Sequence, residues 1–342
     1  MKEALVAPGP KVKVVESPIP EPNDDQVRIR VIVSGSNPKD WKYPMVTGTT
    51  ANQGDDIAGI VDKVGANVTE FKLGDRVAAF HEIGKPGGSY AEYAIAWQHT
   101  TFHIPKSTSF EEASTIPLAS MTAALGLYLT LGLPQPWTPA KEPTPVVLYG
   151  AASAVGSYAI QLAKQSNIHP LICVAGRSIA HVEKLIDRNK GDVVVDYREG
   201  DDAVVENIKK VLGHTKLLHA LDSVSEKGSY RNLGKVVAPG GTITTLLPVM
   251  EQDAIPDVVA APLTFVGSVH RDAQDFGHVY YRYITKGLRD GWFKPQPHVV
   301  VAGGLEGIQE GMDKLAAGRA TALKFVFRIL ETNGVDKDLD LI

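Results

Sequence analysis

Val27, Ile29, Val31 and Val33 alternate with Arg28, Arg30 and Ser34 over most of their length, the period of a half-buried β-strand. Shorter strands are predicted in DIAGIVDKVG, in GDRVAAF and in SYAEYAIA, with Gly65-Ala66-Asn67 and Gly74-Asp75 as turns between strands. Many short strands broken by turns predict a partly closed barrel over about the first 120 residues. Ser109 stands before Glu111 and Glu112, which predicts a helix start, because a hydroxyl cap and negative charge both suit a helix N-terminus. The apolar, helical PLASMTAALGLYL follows. Then Leu133 to Pro145 carries Pro134, Pro136, Pro139, Pro143 and Pro145, a stiff surface link that is neither helix nor central strand.

From Val146 the pattern changes to regular alternation. Val146 to Tyr149 is a short apolar run, predicting a buried strand. Gly150, Ala151, Ala152, Ser153 and Ala154 follow, and then a helix with Val155, Tyr158, Ala159, Leu162 and Ala163 on one side, closed at Asn167. Leu171 to Val174 reads as the next buried strand. Further on, helices near Ile179–Arg188, Ala203–Leu212 and Tyr230–Val237 alternate with strands Asp192–Asp196, Leu217–Asp222 and Thr242–Leu247. That rhythm predicts a parallel sheet with helices on both faces. After a predicted strand at Leu263–Val269 the rhythm breaks into helices Val279–Leu288 and Leu305–Ala317 and a final strand, Leu323–Ile329. The tail is expected to rejoin the β-rich part, leaving a cleft between the two domains.

Strand, small-residue turn, helix and parallel strand form the unit that offers helix N-terminal N–H groups to a dinucleotide pyrophosphate. Set against G-x-G-x-x-G, the positions here are Ala151, Ser153 and Gly156, so only the last glycine is kept, with Gly150 one residue earlier. The side chains stay small where phosphate must approach. A tight strand-to-helix turn in any doubly wound domain has the same need.

Composition narrows the field. The chain has 342 residues, 44% hydrophobic and 22% charged, the profile of a globular protein with a full core. A net charge of −4 without a Lys/Arg cluster predicts no nucleic-acid partner. Cys173 is the single cysteine, which excludes a disulfide framework and a cysteine-rich zinc site. Neither a signal peptide nor an apolar run near the roughly 18 residues of a membrane span is read from the sequence, so a soluble cytoplasmic protein is expected.

With these segments in place, the chain resembles the medium-chain dehydrogenase/reductases over nearly its whole length. The likeness rests on SGSNPKDWKYP, GDDIAGIVDKVGANVTEFKLGDRVAAF, YGAASAVGSYAIQLAK, and DVVVDYREGD followed by LDSVSEKGSY. It is nearest to the zinc-independent quinone oxidoreductases and the free-standing fungal enoyl reductases that serve polyketide synthases. The resemblance implies an α/β protein with a GroES-like β-barrel catalytic domain (residues 1–120 and 270–342) and a doubly wound Rossmann domain (121–269). Zinc members carry Cys in G-x-C-x-x-D and His in G-H-E-x-x-G. Here Asn37 and Asp55 stand at those positions, neither of them the soft or borderline ligand that catalytic zinc favours.

The same likeness implies which residues meet a cofactor, expected to be NADPH. They are Asp40 and Lys42; Ala152, Ser153, Ala154, Val155 and Gly156 at the turn; Gly176, Arg177 and Ser178; Tyr197; Leu246 and Leu247; and Lys324. The second strand ends Val174-Ala175-Gly176-Arg177-Ser178. It lacks the acid that would hold a ribose 2′-OH, and it offers a guanidinium that takes phosphate bidentately. A helix cap at Ser178 beside a surface Arg is the plainer reading. Lys42 and Thr122 are the catalytic candidates. Lys42 would aim an ammonium at a carbonyl oxygen or at ribose hydroxyls, or else be a solvated lysine after a buried Trp41. Thr122 would sit near the nicotinamide amide, or else pack on a helix face. His81 reads as a solvated loop histidine, with proton donor as the alternative.

Without a metal, reduction of an activated C=C asks less of the protein than alcohol oxidation does. The expected reaction is NADPH-dependent reduction of an enoyl or enone substrate, on a polyketide carrier or free. Quinone reduction, and a crystallin-like or regulatory NADPH-binding protein without turnover, are the alternatives. A monomer is expected over a dimer joined at Leu263–Val269, because His270-Arg271-Asp272 puts charge on that edge.

Overall fold

The structure, a computed structural model, describes residues 1–251 and 253–336. In chain order its elements are β1 (Lys2–Ala7), β2 (Lys11–Glu16), β3 (Gln26–Gly35), α1 (Lys39–Thr47), β4 (Asp56–Val64), β5 (Arg76–Phe80), β6 (Tyr93–Trp97) and β7 (Thr101–His103). Next come α2 (Phe110–Ala113), α3 (Pro117–Ala124), β8 (Val146–Tyr149), α4 (Ala154–Gln165), β9 (Leu171–Ala175), α5 (Ile179–Glu183), β10 (Val193–Asp196) and α6 (Asp201–Leu212). The chain closes with β11 (His219–Asp222), α7 (Ser229–Gly234), β12 (Thr242–Thr245), α8 (Gln274–Asp290), β13 (His298–Val300), α9 (Ile308–Ala316) and β14 (Lys324–Arg328). Two compact units result: Met1–Leu118 with Gly267–Ile342, and Ala119–Val266.

In the first unit β13, β14, β3, β4, β5 and β7 lie side by side, and β6 pairs with β3. The alternation read in β3 puts Val27, Ile29, Val31 and Val33 into the core at 0–1% exposure. There Val27, Ile29 and Val31 pack with Ile57, Val77, Ile308, Met312, Phe325 and Phe327. β14 pairs antiparallel with β3, Val326 opposite Gly35, which returns the tail to this unit. Ser109 caps α2 as its sequence suggested, in a reciprocal capping box with Glu112.

The second unit is a five-stranded parallel sheet in the order β10-β9-β8-β11-β12. Its connections reverse direction between β8 and β11, and in such sheets ligands bind at the carboxyl ends of the strands beside that switch. Val147, Ile172, Val174, Ile208, Leu233 and Ile243 form its core.

Three expectations need correction. Leu263–Val269 is not a strand: the segment touches β12 only through single bridges, Thr242 to Ala260 and Thr245 to Leu263, before a 3₁₀ turn at Val266–His270. Pro262 lies between those bridges and has no N–H for a ladder. β12 stops at Thr245, because the Leu246 N–H donates to Ser225 Oγ instead of continuing the sheet. A stretch long and apolar enough to span a membrane does exist, Phe110–Thr130. It is mostly buried inside the protein, as a core helix is.

Gly156 fixes how close α4 comes to β8. A Cβ there would lie 2.7 Å from Ala151 Cα and would also strike the Gly150 carbonyl. Gly156→Ala should therefore lower the unfolding free energy by roughly 1–3 kcal/mol, read from chemical denaturation. A loss under about 0.5 kcal/mol would contradict this packing.

Candidate active site

The candidate residues fall into two groups, one in each unit. In the second unit they gather at the carboxyl ends of the parallel strands. Gly150 follows β8 at φ +78° and leaves no room for a Cβ, which would lie 2.6 Å from Ser223 Oγ. Ser153 is the N-cap of α4: its Oγ accepts from the Gly156 N–H at 3.0 Å and lies 3.0 Å from Ser223 Oγ. Ser223 in turn donates to the Tyr149 carbonyl at 2.7 Å. The sequence marks Ser153 by its small size and Ser223 only as a strand-end serine without a histidine partner; the contact between them depends on a neighbouring strand that no local motif reveals. The turn fits a pyrophosphate, since it joins small half-buried side chains at Ala152, Ser153, Ala154 and Val155 to the N-terminus of a twelve-residue helix.

One strand over, Gly176 and Tyr197 form a corner. A Cβ on Gly176 would lie 2.6 Å from Tyr197 Cζ, so the phenol ring lies against glycine backbone after β9. Tyr197 is 45% exposed, Arg177 is exposed and Ser178 half-buried. Ser178 precedes α5, yet its side chain makes no capping hydrogen bond. Leu246 and Leu247 follow β12, both half-buried. Thr122 lies on α3 at 5% exposure.

The first unit holds Asp40, Lys42 and Lys324. α1 begins at Lys39 and carries Lys42 half-buried, its Nζ 5.8 Å from the centre of the Trp41 ring. Asp40 is fully buried; its Oδ2 accepts from the Tyr90 hydroxyl at 2.6 Å and from the Asn37 N–H at 2.7 Å. Burial pushes its carboxyl up to about 6. Lys324, expected near the cofactor, is 4% exposed; its ammonium is paired with Asp56 and lies 3.3 Å from the Thr115 carbonyl.

His81 corrects its expectation outright. It is 2% exposed rather than solvated, with Nδ1 2.9 Å from Asp55 Oδ1. Asn37 Nδ2 donates to Asp56 Oδ2 at 2.8 Å, while Asp55 faces Lys39 at 2.5 Å. Both positions where zinc members place ligands are thus tied into hydrogen bonds and ion pairs of the protein itself.

Comparison with known proteins gives this geometry its setting. Residues 23–106 match the alcohol dehydrogenase GroES-like domain. The chain is 49% identical over 312 residues, 90% of its length and 92% of the relative's, to the trans-enoyl reductase fsr4 of Gibberella fujikuroi. It belongs to the medium-chain dehydrogenase/reductase family. A second member, the trans-enoyl reductase resD of Aspergillus sclerotiorum, is 33% identical over 359 residues, covering 94% of this chain and 98% of that one. Among solved structures of the same fold is the CurK enoyl reductase, at a TM-score of 0.75 and 19% identity, covering 95% of this chain and 98% of that one. Medium-chain dehydrogenase/reductases use nicotinamide cofactors, and this chain is an oxidoreductase.

Removing the ammonium of Lys324 would strand the buried Asp56 carboxylate. Lys324→Met should cost about 3–5 kcal/mol of stability by chemical denaturation; a loss below about 1 kcal/mol would mean the pair behaves like a surface one.

Proposed function

We propose that this chain uses NADPH to reduce the activated carbon–carbon double bond of an enoyl substrate presented by a fungal polyketide carrier. The observation that carries the reaction is the 49% identity to a trans-enoyl reductase along 90% of the chain. Quinone reduction has no comparable support.

When bound, the nicotinamide would supply hydride. The protein would hold the dinucleotide at the turn before α4, with α4 N–H groups toward the pyrophosphate. Arg177, Ser178 and Tyr197 favour a 2′-phosphate: guanidinium and hydroxyl donate to it, and no acid after β9 repels it. Thr122 would orient the nicotinamide amide.

As the substrate's β-carbon is reduced, negative charge grows on its carbonyl oxygen, and a donor aimed there stabilises the transition state more than the ground state. Lys42 is the residue assigned to that oxygen. Metal-free chemistry is supported by the residues at the two zinc positions: Asn37 donates to Asp56, and Asp55 already has Lys39 and His81 as partners. A monomer is supported by Pro262 interrupting the sheet edge.

Charge-assisted hydrogen bonds to a phosphate are worth roughly 1.5–3 kcal/mol, or about tenfold or more in affinity. NADPH should therefore be preferred to NADH by that factor, and Arg177→Ala should raise the KM for NADPH while sparing that for NADH. Equal use of both cofactors by the unaltered protein would overturn the assignment. Lys42→Ala should lower kcat about 10²–10³-fold with a smaller change in KM for the enoyl substrate. Turnover within about threefold of the parent, with NADPH still bound, would remove Lys42 from the mechanism.

A further inference from the structure

Ser225 holds a backbone conformation that only its surroundings make stable. Its φ is +54°, in the left-handed region that serine rarely enters, and Lys227 and Gly228 follow at +56° and +82°. Non-glycine residues persist there when neighbouring groups over-determine them, and they cluster where a site needs a fixed shape. The group that holds Ser225 is Asp222, the last residue of β11 and 0% exposed. Asp222 Oδ1 accepts from the Ser225 N–H at 2.8 Å and from the Val224 N–H at 3.0 Å. Its Oδ2 accepts from the Ser229 hydroxyl at 2.5 Å.

The Ser225 hydroxyl is used twice. It donates to the Asp222 carbonyl at 2.7 Å and accepts from the Leu246 N–H at 2.8 Å. Ser225 is 3% exposed, so water does not compete for either bond. The Thr245 N–H still reaches the Pro262 carbonyl across the sheet, and the chain leaves the sheet at the next residue. Leu246 is therefore fixed by a side chain of the neighbouring loop rather than by a ladder. Two residues before Ser225, Ser223 Oγ donates to the Tyr149 carbonyl and lies 3.0 Å from Ser153 Oγ. The loop after β11 thus ties the turn before α4 on one side to the segment after β12 on the other.

We propose that Ser225, locked by Asp222, is a positioning residue for the nicotinamide half of the cofactor, which rests on the cofactor reading given above. In the strand order β10-β9-β8-β11-β12, Arg177 follows β9 and Tyr197 follows β10, on one side of the switch. Leu246 and Leu247 follow β12, on the other side. A dinucleotide laid across the switch with its 2′-phosphate on Arg177 extends its other half over β11 and β12. Ser225 acts there through the Leu246-Leu247 backbone, whose path its hydroxyl sets. The adenosine half lies beyond the reach of that hydrogen bond, so losing the hydroxyl affects one half of the ligand and spares the other.

The test compares the parent with Ser225→Ala, both as full chains, by titration calorimetry. The two ligands are NADPH and adenosine 2′,5′-bisphosphate, which carries the phosphorylated adenosine half alone. Ser225→Ala should weaken NADPH about fivefold to tenfold and change the bisphosphate by less than about twofold. In the ligand-free protein the Leu246 amide should exchange its hydrogen at least about tenfold faster. The Ile243 amide, bonded to the Ala260 carbonyl, should keep its parent rate. If Ser225→Ala does not fold, Ser225→Gly, which removes the hydroxyl and the backbone strain together, should give the same split. Three results would overturn the positioning role: equal weakening of both ligands, a Leu246 amide as slow as the parent's, or parent-like NADPH binding with that amide freed. A parent that binds neither ligand would remove the cofactor reading, and this inference with it.

Discussion

A carboxylate buried away from water must find donors within the protein, and Asp56 finds three. It accepts from Asn37 Nδ2 at 2.8 Å and from the Leu118 N–H at 2.7 Å, and it is paired with the Lys324 ammonium. Those partners come from the entry to α1, from α3 and from β14, segments far apart in sequence. One anion therefore fixes the helix that bears Lys42 and the returning tail of the chain. Leaving such a charge unmatched is far more costly than never having buried it. The arrangement consequently specifies geometry more than it adds stability.

A few residues away, Lys39 stands between Asp40 and Asp55, and the His81 ring lies against the other oxygen of Asp55. Together these groups make the start of α1 polar and charged, whereas its last turn is open to solvent, with Val46 86% exposed. The second unit follows a different logic. Its parallel sheet brings glycines, small side chains and the exposed Arg177 guanidinium to the strand ends.

Much of this could be read in the sequence, for identifiable reasons. The β3 alternation, the βαβ rhythm after Val146, the Ser109 cap and the need for glycine at 156 are local, and local patterns survive in a linear reading. The positions of Arg177 and Tyr197 at strand ends were legible because each follows a predictable strand. Lys39, Asp55 and His81 were missed as a group because ion pairs between loops leave no period. His81 was misjudged because a histidine after a strand ordinarily lies in solvent, and only the fold buries it. Asp40 and Lys324, expected to face a cofactor, also have buried partners, Tyr90 and Asp56, that no local pattern reveals. The segment at Leu263–Val269 looked like a strand by composition. One proline and a hydroxyl that takes the Leu246 N–H end the ladder early.

The central claim is a reduction in which hydride enters at the carbon β to a carbonyl. It is tested most directly by supplying NADPH deuterated at its transferable position with a 2-enoyl thioester, and locating the label in the product by mass spectrometry and NMR. The account predicts a saturated thioester with one deuterium on the β-carbon. Deuterium on the carbonyl carbon, or a saturated product without label at the β-position, would contradict it.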